Sequence, residues 1–456
     1  MRPALRRFAL AGLALAACTT GLTPAHARAA DAPACTRAAR VTVPGAAHER
    51  RACLPDLTTA ALAGTPYTDT ADQAGLAAKG TRNPTGVPGV QIDGYFPDTS
   101  RTNAEHGWHH DAQFVLRLPT HWNGGLVVTG APGNRTQYAT DALISDYVLA
   151  AGYAYAATDK GNTGPDFYRD GRRPGDAVAE WNRRTTQLTR AARTTVHRYY
   201  GRPVRRTVMT GISNGGYLTR WQLEHHPELY DGGVDWEGTL WTSRGPNPLT
   251  SLPTAVAWST GTATDDDMYR AGFARGSAFL WPYHRSTYWG LTQKAYRAAV
   301  DPGYDPRCPG ASAGSTPEQI LAPCPSDARY DYAARPSAVQ AAVDRIALTG
   351  ALTRPLITLH GTLDTLLPKS ADSDVYQRMV ARSGRAGLHR YYAVAGGNHV
   401  DGLYDTFPHC LRPVLPCYRS SFDALITWLD HGTPPPPNHT VPRTPHTDLV
   451  NTCSLR

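Results

Sequence analysis

The apolar positions of this chain fall in short runs closed by glycine or polar turns, and these runs alternate with longer stretches of three-and-four spacing. Val90–Phe96 and Ala112–Leu118 are apolar with brief polar interruptions, and the His-, Asp- and Asn-rich segment between them marks a turn, so they predict a strand pair. Gly125–Gly130 and Tyr153–Thr158 predict two further strands, with a helix over Asp141–Ala151 between them; strand, helix, strand implies a parallel crossover. From Asp176 to Tyr200 the residues Val178, Trp181, Leu188, Ala192, Val196 and Tyr199 recur at steps of three, four or seven, with arginines elsewhere, and Gly201 ends the run. This is the pattern of a long amphipathic helix. Arg206–Thr210 predicts a strand, followed by a glycine-bracketed turn and a helix from Gly215 to His226 that Pro227 closes. Tyr230–Trp236, Leu356–Leu359 and Arg390–Ala395 continue the strands. The alternation predicts an α/β fold with a doubly wound, mostly parallel sheet, its core drawn from residues 89–237 and 349–432.

Residues 238–348 break the rhythm. Two βα units need only about 50 residues, yet Ser213 and Asp364 are 151 positions apart. The excess predicts a large inserted cap (lid) domain, and Trp241, Trp258, Trp281 and Trp289 lie in it with Tyr269, Tyr283, Tyr288 and Tyr296. Ahead of the core, residues 31–88 read as an N-terminal arm with weak periodicity, and residues 433–456, with Pro434 to Pro437, Pro442 and Pro445, as a Pro-rich extended tail.

The 456 residues are 41% hydrophobic and 18% charged, which excludes charge-rich disorder, and the single N-terminal apolar run excludes a multispanning membrane protein. Four lysines stand against 42 arginines, dispersed and without a basic block interleaved with aromatics, so no nucleic-acid partner is expected. Arg2, Arg6 and Arg7, the apolar Phe8–Ala17 and the small-x-small Ala25-His26-Ala27 make residues 1–27 an export signal, which predicts a secreted, extracellular protein. Leu15-Ala16-Ala17-Cys18 offers the alternative of a lipoprotein anchored through Cys18, the one route to a membrane. Export also predicts disulfides rather than metal sites for the remaining cysteines. Local spacing pairs Cys35 with Cys53, Cys308 with Cys324 and Cys410 with Cys417, leaving Cys453 unpaired.

The candidate chemistry lies at the predicted ends of strands. Gly211-Ile212-Ser213-Asn214-Gly215 matches G-x-S-x-G between a strand and a helix, the context that lifts a serine hydroxyl above a sheet. Such a serine needs a base and the base needs an orienting carboxylate. Asp364 follows the strand ending near Leu359, and His399 follows the next, giving the order Ser, Asp, His. Asp235 and Glu237 also sit at a strand end and are rivals for the acid, or cap-hinge or substrate contacts; Asp401 is too close to His399 in sequence to orient it. The oxyanion hole is expected from the amides of Asn214 and Ala131, with Gly133 as second choice because Pro132 has no N–H. Asp265-Asp266-Asp267 reads as a solvated turn rather than a calcium site. No metal or organic cofactor is expected.

Taken together, Gly211 to Gly215, Pro227-Glu-Leu-Tyr-Asp-Gly-Gly233, His360-Gly361 ahead of Asp364, His399 and the insertion resemble the α/β-hydrolase superfamily, and within it the secreted tannase and feruloyl-esterase group. The resemblance implies an α/β-hydrolase fold and a serine esterase with a lid over its acyl pocket, acting on small or aromatic, phenolic acyl esters. A cysteine pair that this group carries beside the nucleophile and the histidine is replaced here by Ile212 and Val400. Hydroxyalkanoate-oligomer hydrolases and serine peptidases are the alternative enzymes, and an inert binding protein on a hydrolase scaffold is the alternative of another class.

Overall fold

The computed structural model describes residues 36, 41–98, 106–161, 176–301, 303–304, 327–444 and 447–456. The expectations for the export signal, Cys18, Cys35 and the Cys308 and Cys324 pair lie outside these residues. Among the described residues ten strands form one sheet: β1 (Ala47–Leu54), β2 (Gly89–Phe96), β3 (Ala112–Pro119), β4 (Gly125–Gly130), β5 (Ala154–Thr158), β6 (Arg206–Ile212), β7 (Gly232–Trp236), β8 (Leu356–Gly361), β9 (His389–Val394) and β10 (His439–Val441), in the order β1-β2-β3-β5-β4-β6-β7-β8-β9-β10. β1, β2, β3 and β5 pair antiparallel, and from β5 to β10 every neighbour is parallel.

The central strands read as continuous apolar runs because both faces of the sheet are covered. Along β4, Leu126 and Val128 point into one core layer and Val127 into the other; β6 likewise sends Met209 one way and Val208 and Ile212 the other. The first layer is closed by α1 (Asp176–Tyr200) and α2 (Asn214–His225), the second by the helical turn at Asp141–Ala150 and by the C-terminal helix Leu415–His431. All six apolar positions read from the periodicity of α1 are buried, Trp181 completely. Val178, Leu188 and Val196 each contribute roughly 1.5–3 kcal/mol by leaving water.

Between β7 and β8 the described regular structure is helical and includes α3 (Pro248–Ser259), a short helix Asp265–Arg270, α4 (Gly290–Val300) and a helix Ser337–Asp344. The tryptophans of the insertion join the first core layer of the sheet, Trp258 meeting Trp281 and Trp289 edge-on with centroids 5.1 and 6.0 Å away. The three aspartates 265–267 are not a turn: they are the first turn of a helix, where negative charge is favourable, and Thr264 and Asp267 cap it reciprocally. After β8 come α5 (Ser373–Arg382) and, after β9, α6 (Leu415–His431).

Three expectations are corrected. The arm contains β1, an edge strand whose charged run His48 to Arg51 hides it from an apolar reading, and the tail contains β10, which extends the sheet beside β9. The disulfide joins Cys417 to Cys453, and Cys410 is free and exposed; the tail folds back onto α6, so nearness in sequence misled the pairing. Cys53 is disulfide-bonded as well. Among the described residues no helix is long and apolar enough to cross a membrane.

Candidate active site

From β4 the chain crosses to β5 on one side and then returns to β6 on the other, so the strand order reverses between β4 and β6. Crevices outside the carboxyl ends of strands at such a point are where open α/β sheets bind ligands. Ser213 stands there, between the end of β6 and the start of α2, with φ 59° and ψ −121°. That conformation is unfavourable for a residue with a Cβ and persists only where its surroundings enforce it. They do: Ser213 N–H donates to Trp236 O at 2.9 Å, and Tyr217 N–H donates back to Ser213 O at 2.9 Å. The bracketing glycines are demanded by contact, since a Cβ on Gly211 would lie 2.4 Å from the Gly215 carbonyl carbon and one on Gly215 would lie 2.3 Å from Gly130 O.

Ser213 and His399 border the same cavity, of about 270 Å³. Tyr288 and Tyr296 from the insertion face them across it, with Leu366 and Leu367 from the turn after β8. Tyr296 also ties the insertion to the serine turn, its hydroxyl donating to Asn214 Oδ1 at 2.7 Å. The four tryptophans of the insertion are absent from the cavity wall, so its aromatic character comes from tyrosine.

Asp364 is wholly inside the protein, and four donors converge on it. Leu366 and Leu367 N–H reach Oδ1 at 2.8 and 2.9 Å, while Oδ2 receives His399 Nδ1 at 2.9 Å and His360 Nε2 at 3.1 Å. Burial by itself would raise this carboxyl, but His399 and His360 beside it hold it below the usual carboxylate range. The ionised form is therefore the resting one, and it fixes the proton of His399 on Nδ1, leaving Nε2 as the basic nitrogen.

His360 was not singled out from the sequence as a site residue. Its Nε2 faces two acceptors, Leu367 O at 2.8 Å and Asp364, and so carries a proton, while Nδ1 meets Ser373 Oγ at 2.7 Å. Ser373 belongs to a buried network in which Arg220 binds Asp235 (2.6 Å), Asp372 (2.8 Å) and Ser373 Oγ (2.7 Å). Asp235 is thereby spent: Arg220 and Thr358 occupy Oδ2 and Gly238 N–H occupies Oδ1. It is a structural anchor rather than an acid for His399 or a contact for substrate. Asp401 is also occupied, receiving the Val414 and Leu415 N–H groups at the start of α6. Glu237 is different, for its Oε2 lies 3.4 Å from His399 Nδ1. Glu237, Asp364 and His399 bring one potential ligand atom each within 4.8 Å of one another, but the 2.9 Å contact between two of them is a hydrogen bond, the relation of a base to its orienting acid rather than of two metal ligands.

The expected oxyanion donor Ala131 is ruled out. Its N–H donates to Thr158 O at 2.9 Å, continuing the β4–β5 ladder one residue past β4. Gly133, with φ 51°, borders the cavity, and Asn214 as the first residue of α2 has an N–H with no acceptor within its helix.

Residues 99–236, running through β3 to β7 and including the serine turn, match the family model described as tannase and feruloyl esterase. A curated relative, mono(2-hydroxyethyl) terephthalate hydrolase from Piscinibacter sakaiensis, is 28% identical over 141 residues, 28% of this chain; the match spans only 23% of that relative's length. Among solved structures, feruloyl esterase B from Aspergillus oryzae superposes with TM-score 0.54 at 12% identity, over 88% of this chain and 90% of its own. Another esterase from Aspergillus oryzae gives 0.50 at 13% identity, over 87% and 89%. The chain has the α/β-hydrolase fold, and its residues 99–236 are similar to the tannase and feruloyl-esterase family.

Proposed function

We propose that the protein is an exported serine hydrolase that cleaves carboxylic esters through an acyl-enzyme. The observation that carries this reading is the 2.9 Å contact of His399 Nδ1 with Asp364 beside a cavity that His399 shares with a serine held at φ 59°. Ser213 Oγ attacks the ester carbonyl while His399 Nε2 takes its proton, and the tetrahedral oxyanion is received by Asn214 N–H together with the Gly133 stretch of loop after β4. Collapse expels the alcohol, which leaves with the proton from His399. Water then attacks the acyl-enzyme by the same route in reverse and restores Ser213. The acyl group is compact and preferably aromatic, since the cavity is small and bordered by Tyr288 and Tyr296, and the names of the terephthalate-ester and feruloyl-ester relatives point the same way. The insertion between β7 and β8 acts as the lid over this acyl pocket.

The test is labelling of the purified protein by a fluorophosphonate, with ester turnover measured beside it. Ser213→Ala should abolish labelling and lower turnover by at least ~10³-fold. Labelling that persists in Ser213→Ala refutes the assignment, and faster cleavage of an aminoacyl anilide than of the matching ester turns the reading to a peptidase.

A further inference from the structure

β7 ends at Trp236, and the next residue, Glu237, has φ 52°, a conformation rare for a side chain of its kind. The bend is pinned by Glu237 N–H donating to Leu359 O at 2.8 Å and by Gly361 N–H donating to its Oε1 at 2.5 Å. The result is a carboxyl with no solvent exposure, aimed at the histidine of the site, and among the described residues its Oε2 has no hydrogen-bond partner, only His399 Nδ1 at 3.4 Å. An ionised oxygen left so would cost several kcal/mol, whereas a protonated one would not carry that charge.

Asp364 is the neighbouring carboxyl, and two such groups in a dry site do not both ionise. The donors decide between them. Asp364 receives two backbone N–H groups and two histidines, but Glu237 receives one N–H and the edge of His399. Burial, and then the charge of Asp364, raise the Glu237 carboxyl well above the ordinary range. Four other titratable groups face this corner and are the same in Asp364→Asn and in the double variant; Asp401 ionises in the same pH range, so the difference between those two proteins, not either profile alone, reports on Glu237. Asp235 on β7 is paired with Arg220, Asp401 caps α6, His360 on β8 is engaged with Asp364, and His284 of the insertion is held neutral by burial, its pKa lowered to about 4.

We infer that Glu237 is a second acid for His399, a neutral carboxyl while Asp364 is ionised and the group that takes the Nδ1 proton contact when the charge of Asp364 is removed. It is a positioning residue, acting on substrate only through His399, and the inference rests on the triad reading. In Asp364→Asn the raising influence of Asp364 disappears, so the Glu237 proton is lost to water as pH rises. The carboxylate then accepts from His399 Nδ1 and restores the basic Nε2.

The experiment compares kcat/KM for wild type, Asp364→Asn, Glu237→Gln and the double variant from about pH 6 to about pH 10. Asp364→Asn should lose about 10²–10³-fold near neutrality and regain at least about tenfold toward alkaline pH with a one-proton ionisation. The double variant should lack that ionisation and lie at least about tenfold lower at the alkaline end, while Glu237→Gln alone loses no more than about tenfold. Asp364→Asn and the double variant tracking each other at every pH would overturn the inference. Asp364→Ser serves in the same scheme if the asparagine variant does not fold. Infrared difference spectra of wild type against Glu237→Gln provide a readout independent of turnover: a protonated-carboxyl C=O band lost in the variant supports the inference, and its absence in wild type overturns it. Failure of the triad itself is separable, since it shows as activity retained in Ser213→Ala.

Discussion

His399 and Asp364 are joined by a 2.9 Å contact from Nδ1 to Oδ2, although 35 positions separate them in the chain. They meet because β8 and β9 are parallel neighbours, Leu359 opposite Tyr392 and Gly361 opposite Val394, so the turns leaving both strands emerge at one edge of the sheet. Ser213 leaves β6 at that same edge, two strands away. The sheet thus brings three positions distant in sequence to one edge, and the donors around Asp364 hold its carboxyl ionised.

Asp364 and Asp235 should fail in different ways when each becomes asparagine. Asp364→Asn removes the charge that orients His399, so kcat should fall by more than ~10²-fold with a modest change in thermal stability. Asp235→Asn leaves Arg220 short of a partner in a place without water, and breaking such a pair costs about 3–5 kcal/mol. Its melting temperature should drop well below that of Asp364→Asn while the turnover of the folded fraction falls less. Paired thermal melts and active-site-titrated kinetics check this, and the opposite ranking would return Asp235 to the catalytic acid.

Stability against pH should report on Asp401. Burial, opposed by the Val414 and Leu415 N–H groups, raises its carboxyl to about 7, so the folded state holds a proton there that the unfolded chain gives up near pH 4. The contribution of this protonated form to stability is complete below the unfolded pKa and is lost as pH rises through the folded one. Between about pH 5 and pH 8 the loss approaches roughly 3 kcal/mol. Asp401→Asn has no such proton to lose, so its melting temperature should gain on wild type as pH is raised across that window. A constant difference between the two proteins at all pH values would show that Asp401 is ionised throughout.

The Cys417–Cys453 bond closes a loop across 36 positions, for which chain entropy gives about 3–4 kcal/mol. Cys453→Ser should lower the melting temperature and loosen the tail, whereas Cys410→Ser should leave it unchanged. Alkylation without reductant should mark Cys410 and spare Cys417 and Cys453; a peptide map with Cys410 bonded to Cys417 would reinstate the pairing by spacing.

That pairing shows where the sequence was legible and where it was not. The strands from β4 to β9 announce themselves because burial on both faces requires unbroken apolar runs, and α1 does so because one stripe of it is buried. The serine turn is legible for another reason: Gly211 and Gly215 are forced by contacts under 2.5 Å that any side chain would violate. β1 escapes notice because an edge strand carries its charges outward, its residues alternating between exposed and half-buried. Ala131 misled because an amide at the end of a strand looks available until the neighbouring strand is placed beside it. Arg220 left no local signal, and His360 showed only as the His-Gly ahead of Asp364, since their partners come from α5, β7 and the turn after β8, and only the packed sheet brings them together.

The size of the acyl pocket sets the last expectation. A cavity of about 270 Å³ lies just under the ~300–1,000 Å³ common for ligand sites, and the serine within it is only 9% exposed. The wall facing Ser213 is built from α4 and the turn preceding it, with Tyr296 hydrogen-bonded to Asn214, so widening it means breaking a buried 2.7 Å contact. On the proposed reading of the insertion as a lid, a long acyl chain would need a trough beyond this cavity, whereas an acetyl, butyryl or single-ring acyl group would fit within it, the ring lying against tyrosine faces. The values of kcat/KM for p-nitrophenyl acetate and butyrate should therefore exceed that for the palmitate by at least about tenfold, with methyl ferulate and mono(2-hydroxyethyl) terephthalate also turned over and no activation at a lipid interface. Tyr296→Phe, which frees the roof from the serine turn, should narrow the gap between butyrate and palmitate by raising KM for the short ester more than it lowers kcat. A wild-type preference for palmitate would sink the roofed-pocket argument, and a preference for a 3-hydroxybutyrate dimer over every aromatic ester would move the substrate to hydroxyalkanoate oligomers.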